Sequence, residues 1–188
     1  MQIGVVVLAA GQSKRFGSNK MLAEIRGVPI IKWTLSIYQG FERVIIVGKD
    51  AGKMLELLKN EVVIYNPTYE KGMSTSLKLG IKFFHDKHGI LVALGDMPFI
   101  KRETVSKILG SFSLECSAVV PVYSNIPGNP VLLGKRIFQS VLTLEGDRGA
   151  KKLLEERKDV CFIDVDDDGV TLDVDTPEDF ALFFQRQV

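Results

Sequence analysis

The feature that most constrains this chain is its start. An apolar run, Val5-Val6-Val7-Leu8-Ala9-Ala10, ends at Gly11 and opens into a loop carrying Lys14, Arg15, Gly17 and Lys20. An unbroken Val/Leu run reads as a strand covered on both faces, the kind found in parallel sheets flanked by helices. Ala9, Ala10 and Gly11 leave almost no side-chain bulk where that strand ends. In open α/β sheets this carboxyl edge is where ligands sit. Gly11 and Gly17 free the backbone to wrap an anion, and three cations follow. The loop is suited to a nucleoside triphosphate. It is neither standard phosphate loop: the position five after Gly11 is Phe16, Lys20 is followed by Met21, and the spacing of a dinucleotide fingerprint is absent.

The rest of the chain repeats the pattern of short apolar runs alternating with helix-length segments. Strands are expected at Ile3–Ala9, Arg43–Val47, Val62–Tyr65, Ile90–Leu94, Ala118–Val122 and Val160–Val165. Helices are expected at Ile30–Gln39, Ala51–Lys59, Ser74–Phe84, Lys101–Phe112, Gly149–Arg157 and Pro177–Gln187. Asp50 and Thr176-Pro177 supply start signals for two of them. Tyr123–Gly134 is rich in Pro and Gly and reads as a local excursion. No repeat or linker divides the chain, so one domain over 1–188 is expected. The economical architecture is a three-layer, doubly wound, mostly parallel α/β sheet of the Rossmann-like kind.

Two acidic segments stand at strand ends. Ile90–Leu94 runs into Gly95-Asp96-Met97-Pro98, which sets one carboxylate at the ligand edge. A hard cation such as Mg²⁺ needs only one or two carboxylates beside phosphate oxygens; a turn or cap aspartate is the competing reading of Asp96. In Leu172-Asp173-Val174-Asp175-Thr176-Pro177-Glu178-Asp179, an extended backbone would point Asp173 and Asp175 the same way. Either could be a second metal ligand, while Asp175 or Thr176 could instead cap the last helix. The run Asp164, Asp166, Asp167, Asp168, followed by Gly169, reads as a solvated hairpin turn. After the third strand, Gly72-Met73-Ser74-Thr75-Ser76 opens a helix with three hydroxyls, more than capping needs. Gly72, Ser74 and Ser76 are therefore assigned to a base or ribose.

These motifs together resemble the MobA-like nucleotidyltransferases, and among them the molybdenum cofactor cytidylyltransferases. The string Leu8-Ala9-Ala10-Gly11-x-Ser13-x-Arg15-Phe16-Gly17-x-x-Lys20 is similar to the family's signature loop, and Gly95-Asp96-Met97-Pro98 to its metal segment. Gly-Met-Ser-x-Ser-Leu, Pro127-Gly128-Asn129-Pro130, Gly146-Asp147-Arg148-Gly149 and Asp173–Asp179 extend the match from Val5 to Phe180. The resemblance implies that Leu8, Ala9, Ala10, Gly11 and Lys20 bind the nucleotide. It further implies that Lys20, Arg15 and Asp96 carry catalysis with Mg²⁺, and that Asp175 or Asp173 supports the metal. Asn129, Asp147 and Arg148 would face the acceptor; relatives usually have histidine where this chain has Asn129. The implied reaction transfers NMP to the terminal phosphate of a molybdopterin-type cofactor and releases pyrophosphate. Ala10 favours CTP over GTP, and the product would pass to a molybdoenzyme. Sugar phosphates or other phosphorylated metabolites are alternative acceptors; a non-catalytic nucleotide-binding module and a glycosyltransferase using Asp173 and Asp175 are the rival classes.

Bulk properties exclude other partners. The 188 residues carry a net charge of +1, with 46% hydrophobic and 25% charged residues. That balance gives no electrostatic footprint for nucleic acid or a membrane surface. The first apolar run is too short for a signal peptide or membrane span, so a cytoplasmic location is expected. Cys116 and Cys161 adjoin apolar stretches and are expected as free, buried structural thiols. His85 and His88 are expected at the surface.

Overall fold

The computed structural model describes residues 1–11, 19–146, 153–176 and 179. In chain order the strands are β1 (Ile3–Ala9), β2 (Glu24–Ile25), β3 (Val28–Pro29), β4 (Arg43–Val47) and β5 (Val63–Tyr65). They continue with β6 (Gly89–Leu94), β7 (Ala118–Tyr123), β8 (Ile126–Pro127), β9 (Val131–Gly134) and β10 (Val160–Asp164). The helices are α1 (Ile30–Ile37), α2 (Ala51–Leu57), α3 (Met73–Phe83), α4 (Arg102–Gly110) and α5 (Phe138–Leu142).

β1 lies near the middle of the main sheet, whose order is β10-β7-β9-β6-β1-β4-β5, with β8 pairing to β7. β6, β1, β4 and β5 run parallel, as do β7 and β10. Val5, Val6 and Val7 are wholly buried, which explains why β1 has no polar face. Its residues divide by parity, as a pleated strand must. Val5, Val7 and Ala9 face one core with Ile31 and Leu35 of α1, Met54 of α2 and Ile108 of α4. Val6 and Leu8 face the other with Leu77 and Ile81 of α3 and Val141 of α5. Helices thus cover both faces. At α3 the approach is close: a Cβ on Gly80 would stand 2.4 Å from Val6 Cγ1. A small β2–β3 ribbon carries Ile25, which with Ile30 and Val174 forms a third apolar cluster.

The sequence reading of a mostly parallel three-layer sheet holds, and its six expected strands fall at or within a residue of their observed ends. Four expectations change. Tyr123–Gly134 is more than an excursion: it makes the β7–β8 ribbon, then sends β9 antiparallel between β6 and β7. Asp50 precedes α2 with φ of 56° and makes no side-chain cap. Cys116 and Cys161 are joined in a disulfide, with Cα atoms 5.6 Å apart, rather than standing as free thiols. The Asp164–Gly169 run is neither a hairpin nor wholly solvated. Asp167 is 1% exposed, and a 3-10 turn follows at Asp168–Thr171. Apart from Asp179, the expected helix at Pro177–Gln187 lies outside the described residues, as does the start of that at Gly149–Arg157.

Asp167 locks that turn to α4. Its Oδ2 accepts from Lys101 N at 2.8 Å and Thr104 Oγ1 at 2.6 Å, and its Oδ1 accepts from Gly169 N at 3.0 Å. Asn129 N donates to Val170 O at 2.8 Å. Gly128 is needed there, since a Cβ would come within 2.3 Å of Val170 O. The segment entering Asp173 and Asp175 is therefore fixed from two sides.

Candidate active site

The parallel strands β1 and β6 end side by side, and Gly95 N donates to Leu8 O at 2.9 Å beyond the last ladder pair. Thr34 Oγ1, buried on α1, donates to Gly95 O at 2.8 Å. Gly95 is tightly packed: a Cβ would stand 3.0 Å from Ile31 Cδ1 and from Met21 Sδ, and those side chains would have to give way. That turn delivers Asp96 to the sheet edge. Val174 N donates to Asp96 O at 2.9 Å, which brings Asp173 and Asp175 to the same place.

Lys20 meets them from the other side. It begins a 3-10 turn, Lys20–Leu22, capped by Asn19, whose Oδ1 accepts from Met21 N at 3.1 Å. Asn19 Nδ2 donates to Lys49 O at 3.1 Å, tying the turn to the segment after β4. Lys20 Nζ lies 2.5 Å from Asp96 Oδ2 and 2.6 Å from Asp175 Oδ1. Burial alone would lower the lysine's pKa, but the Asp96 and Asp175 carboxylates outweigh it and raise it above its ordinary value. Lys20 is held as a cation. Asp173, exposed at the edge of the cluster, is pushed the opposite way for a carboxylate, upward, by partial desolvation and then by Asp175 and Asp96.

One oxygen each of Asp96, Asp173 and Asp175 lies within 4.8 Å of the others. This donor set of hard anionic oxygens fits a hard divalent cation such as Mg²⁺ or Mn²⁺. The local capping of the last segment is supplied by other groups. Asp179 Oδ2 accepts from Asp175 N at 2.8 Å and Thr176 N at 2.7 Å, while Asp179 N approaches Thr176 Oγ1 at 3.4 Å. That is a capping box with Thr176 as cap, and it leaves the Asp175 side chain to the cluster. The two amides hold the Asp179 carboxyl below its usual range, against the opposing effect of burial.

The candidate base loop is partly self-contained. Gly72, at φ of 109°, precedes α3 without a side-chain cap. Asn66 Nδ2 donates to Thr75 Oγ1 at 2.8 Å and Ser76 Oγ at 2.9 Å, so two of the three hydroxyls hold the end of β5 to α3. The third differs: Ser74 Oγ is buried and without a hydrogen-bond partner among the described residues. Nearby, Tyr69 lies over Gly48, where a Cβ would meet its ring at 2.6 Å and Ala10 O at 2.8 Å.

Of the residues singled out in the sequence, the structure brings together Lys20, Asp96, Asp173 and Asp175. Leu8 and Ala9 end β1 beside β6, Ala10 and Gly11 follow, and Asn129 is pinned to the turn that precedes Asp173. Arg15, Asp147 and Arg148 lie outside the described residues. His85 and His88 are exposed as expected. Sequence reasoning overlooked Asn19, whose position just before a short turn is itself a capping signal. It also overlooked Asp167, which nothing local separates from its acidic neighbours.

A buried lysine and a carboxylate cluster at the ligand edge of an open α/β sheet suit an enzyme that handles nucleotide phosphates. Residues 5–160 match the model of the MobA-like NTP transferase domain, and the chain belongs to that family of nucleotidyltransferases. It is 28% identical over 190 residues to the molybdenum cofactor cytidylyltransferase of Escherichia coli, covering 98% of this chain and 96% of that one. It is 36% identical over 107 residues to a probable molybdenum cofactor guanylyltransferase of Aquifex aeolicus, covering 56% of this chain and 52% of the relative. Rv0371c of Mycobacterium tuberculosis superposes with a TM-score of 0.86 at 29% identity, covering 98% of both chains. A manganese complex of that protein superposes with a TM-score of 0.82 at 26% identity, covering 98% of this chain and 99% of the other. Among the described residues no helix is long and apolar enough to cross a membrane.

Proposed function

We propose that this chain, acting as one domain over 1–188, transfers CMP from CTP to the terminal phosphate of a molybdopterin-type acceptor and releases pyrophosphate. The observation that carries the reading is the Lys20 ammonium held between Asp96 and Asp175 at the ends of β1 and β6. Such chemistry asks for positioning and charge neutralisation, not a covalent intermediate. Gly11 and its loop cradle the triphosphate, and Lys20 and Arg15 offset charge at the α-phosphate. Ser74 and Gly72, with Ser76 braced by Asn66, present polar groups to the base or ribose; the Ser74 hydroxyl, buried and without a partner among the described residues, supports this. Asn129, Asp147 and Arg148 face the acceptor. Asp96, Asp173 and Asp175 hold a divalent cation, Mg²⁺ by hardness, which supplies Lewis-acid stabilisation of phosphate oxygens when bound. The acceptor phosphate is already ionised at neutral pH and needs no general base.

CTP is preferred on the strength of Ala10 in the signature loop and of the full-length similarity to a cytidylyltransferase. The Aquifex relative keeps GTP as the second reading. The test is pyrophosphate release with Mg²⁺, molybdopterin or its molybdenum-loaded form, and each of CTP, GTP, ATP and UTP. Release confined to CTP supports the proposal. Release confined to GTP keeps the mechanism and overturns the base assignment. No release with any nucleotide, from folded protein that still binds NTP, overturns either the acceptor or the transfer itself.

A further inference from the structure

Lys20 engages two of the three carboxylates that a divalent cation would need. Its Nζ touches Asp96 and Asp175, and the ligand oxygens of Asp96, Asp173 and Asp175 all lie within 4.8 Å of one another. A hard divalent ion bound to those carboxylates sits about 2.0–2.6 Å from its oxygens, so an ion on the Asp96 and Asp175 oxygens that Lys20 Nζ contacts competes with the ammonium for them. The backbone beneath the lysine is pinned by Asn19 to Met21 N and Lys49 O. Any exchange is therefore confined to the flexible four-carbon stem of Lys20.

We infer that Lys20 is an exchangeable cation, which holds the Asp96 and Asp175 carboxylates in the metal-free site and leaves them for nucleotide phosphates when a metal takes its place. The inference rests on the metal reading of Asp96, Asp173 and Asp175 given above. A free ion arriving alone must expel a largely buried ammonium from its two carboxylates with no anion to receive it. A metal–nucleotide complex brings its own phosphates, so the lysine passes from one set of anionic oxygens to another. Metal and nucleotide then strengthen each other's binding by a common factor, and part of that factor runs through the Lys20 stem. In the absence of both, the lysine keeps three crowded carboxylates together.

The experiment is Mn²⁺ binding to the nucleotide-free full-length chain, read by electron paramagnetic resonance of the free ion. Lys20→Met is expected to tighten Mn²⁺ binding by about 10-fold or more. Lys101→Met, which removes a cation held to the Asp166 carbonyl outside the cluster, is expected to leave it unchanged. Equal affinity in Lys20→Met and wild type overturns the exchange, as does an equal gain in Lys101→Met. Adding Asp96→Asn separates the two layers. If Mn²⁺ affinity survives that change, the ion binds elsewhere and the metal reading falls with the proposal. If Asp96→Asn abolishes binding yet Lys20→Met had not tightened it, the exchange alone falls. A second readout needs no variant: acetylation of the Lys20 amine, followed by mass spectrometry, should accelerate when wild type is saturated with Mn²⁺ alone. An unchanged rate overturns the proposal.

Discussion

Replacing Asp167 with alanine should cost far more than replacing Asp166, although the sequence presents them as equivalent members of one acidic run. Asp167 is 1% exposed and accepts hydrogen bonds from Lys101 N, Thr104 Oγ1 and Gly169 N at 2.8, 2.6 and 3.0 Å. Hydrogen bonds to a charged group contribute roughly 1.5–3 kcal/mol each, and a buried donor left unpaired costs about 1–3 kcal/mol. The desolvation of the carboxylate, no longer needed, offsets part of this. The net expectation is a loss of about 3–5 kcal/mol for Asp167→Ala. For a chain of this size that corresponds to a fall of roughly 6–20 °C in Tm. Asp166 offers only its backbone carbonyl, to Lys101 Nζ at 2.9 Å, so Asp166→Ala should change stability by less than about 0.5 kcal/mol. Urea unfolding followed by circular dichroism measures both variants under one condition. A loss below about 1 kcal/mol for Asp167→Ala, or equal losses for the two, would refute the reasoning.

Further outcomes follow from the same geometry. Gly80→Ala gains about 1 kcal/mol of helix propensity, but its methyl would stand 2.4 Å from Val6 Cγ1 on a stiff, central strand. Net destabilisation is expected in urea unfolding, and a stabilised variant would contradict the tight α3–β1 packing. Reducing the Cys116–Cys161 bridge opens a loop with a sequence separation of 45, for which the chain-entropy relation gives about 4 kcal/mol. Thiol titration of the unfolded, unreduced protein should find no free cysteine, and two free thiols would contradict the bridge. The Asp173 carboxyl, itself exposed, is held above its ordinary pKa of 3.8 by partial desolvation and by Asp175 and Asp96. Ionising it therefore costs more in the folded chain than in the unfolded one. Its favourable contribution is complete below that pH and lost as pH rises through the higher folded value. Asp173→Asn should accordingly stabilise the metal-free protein at pH 7 and not at pH 3; thermal melts showing the reverse order would contradict the assignment.

The parallel half of the fold was legible because its strands are continuous apolar runs, and a strand buried on both faces has no other way to be written. β9 was not, because Val131-Leu132-Leu133 follows a stretch of Pro and Gly that marks a loop. Its partners β6 and β7 are fixed by long-range pairing that no local pattern records. The site divides in the same way. Asp96 was readable as a carboxylate at a strand end, and so was the lysine of the first loop. That Lys20 would reach Asp175, 155 residues away, needed the fold. The choice between cap and ligand for Asp175 was open in the sequence because both use the same short string. The cap is made by Thr176 and Asp179, which complete the capping box between them, and the Asp175 side chain turns to Lys20 instead. Asp167 escaped because burial, not residue type, distinguishes it from Asp164, Asp166 and Asp168. The cysteines escaped because each adjoins apolar residues, which is equally the setting of a free thiol.

The central claim is that Lys20, Asp96 and Asp175 mark the place where a nucleotide is joined to a phosphorylated acceptor. The direct measurement is mass spectrometry of the acceptor after incubation with CTP and Mg²⁺, for wild type and for Lys20→Ala. Removing a group that stabilises charge in the transition state typically costs about 10²–10³-fold in rate. The account predicts that molybdopterin gains the mass of CMP in wild type and that Lys20→Ala forms this product at least about 100-fold more slowly while remaining folded. Product formed at the wild-type rate by folded Lys20→Ala would contradict it.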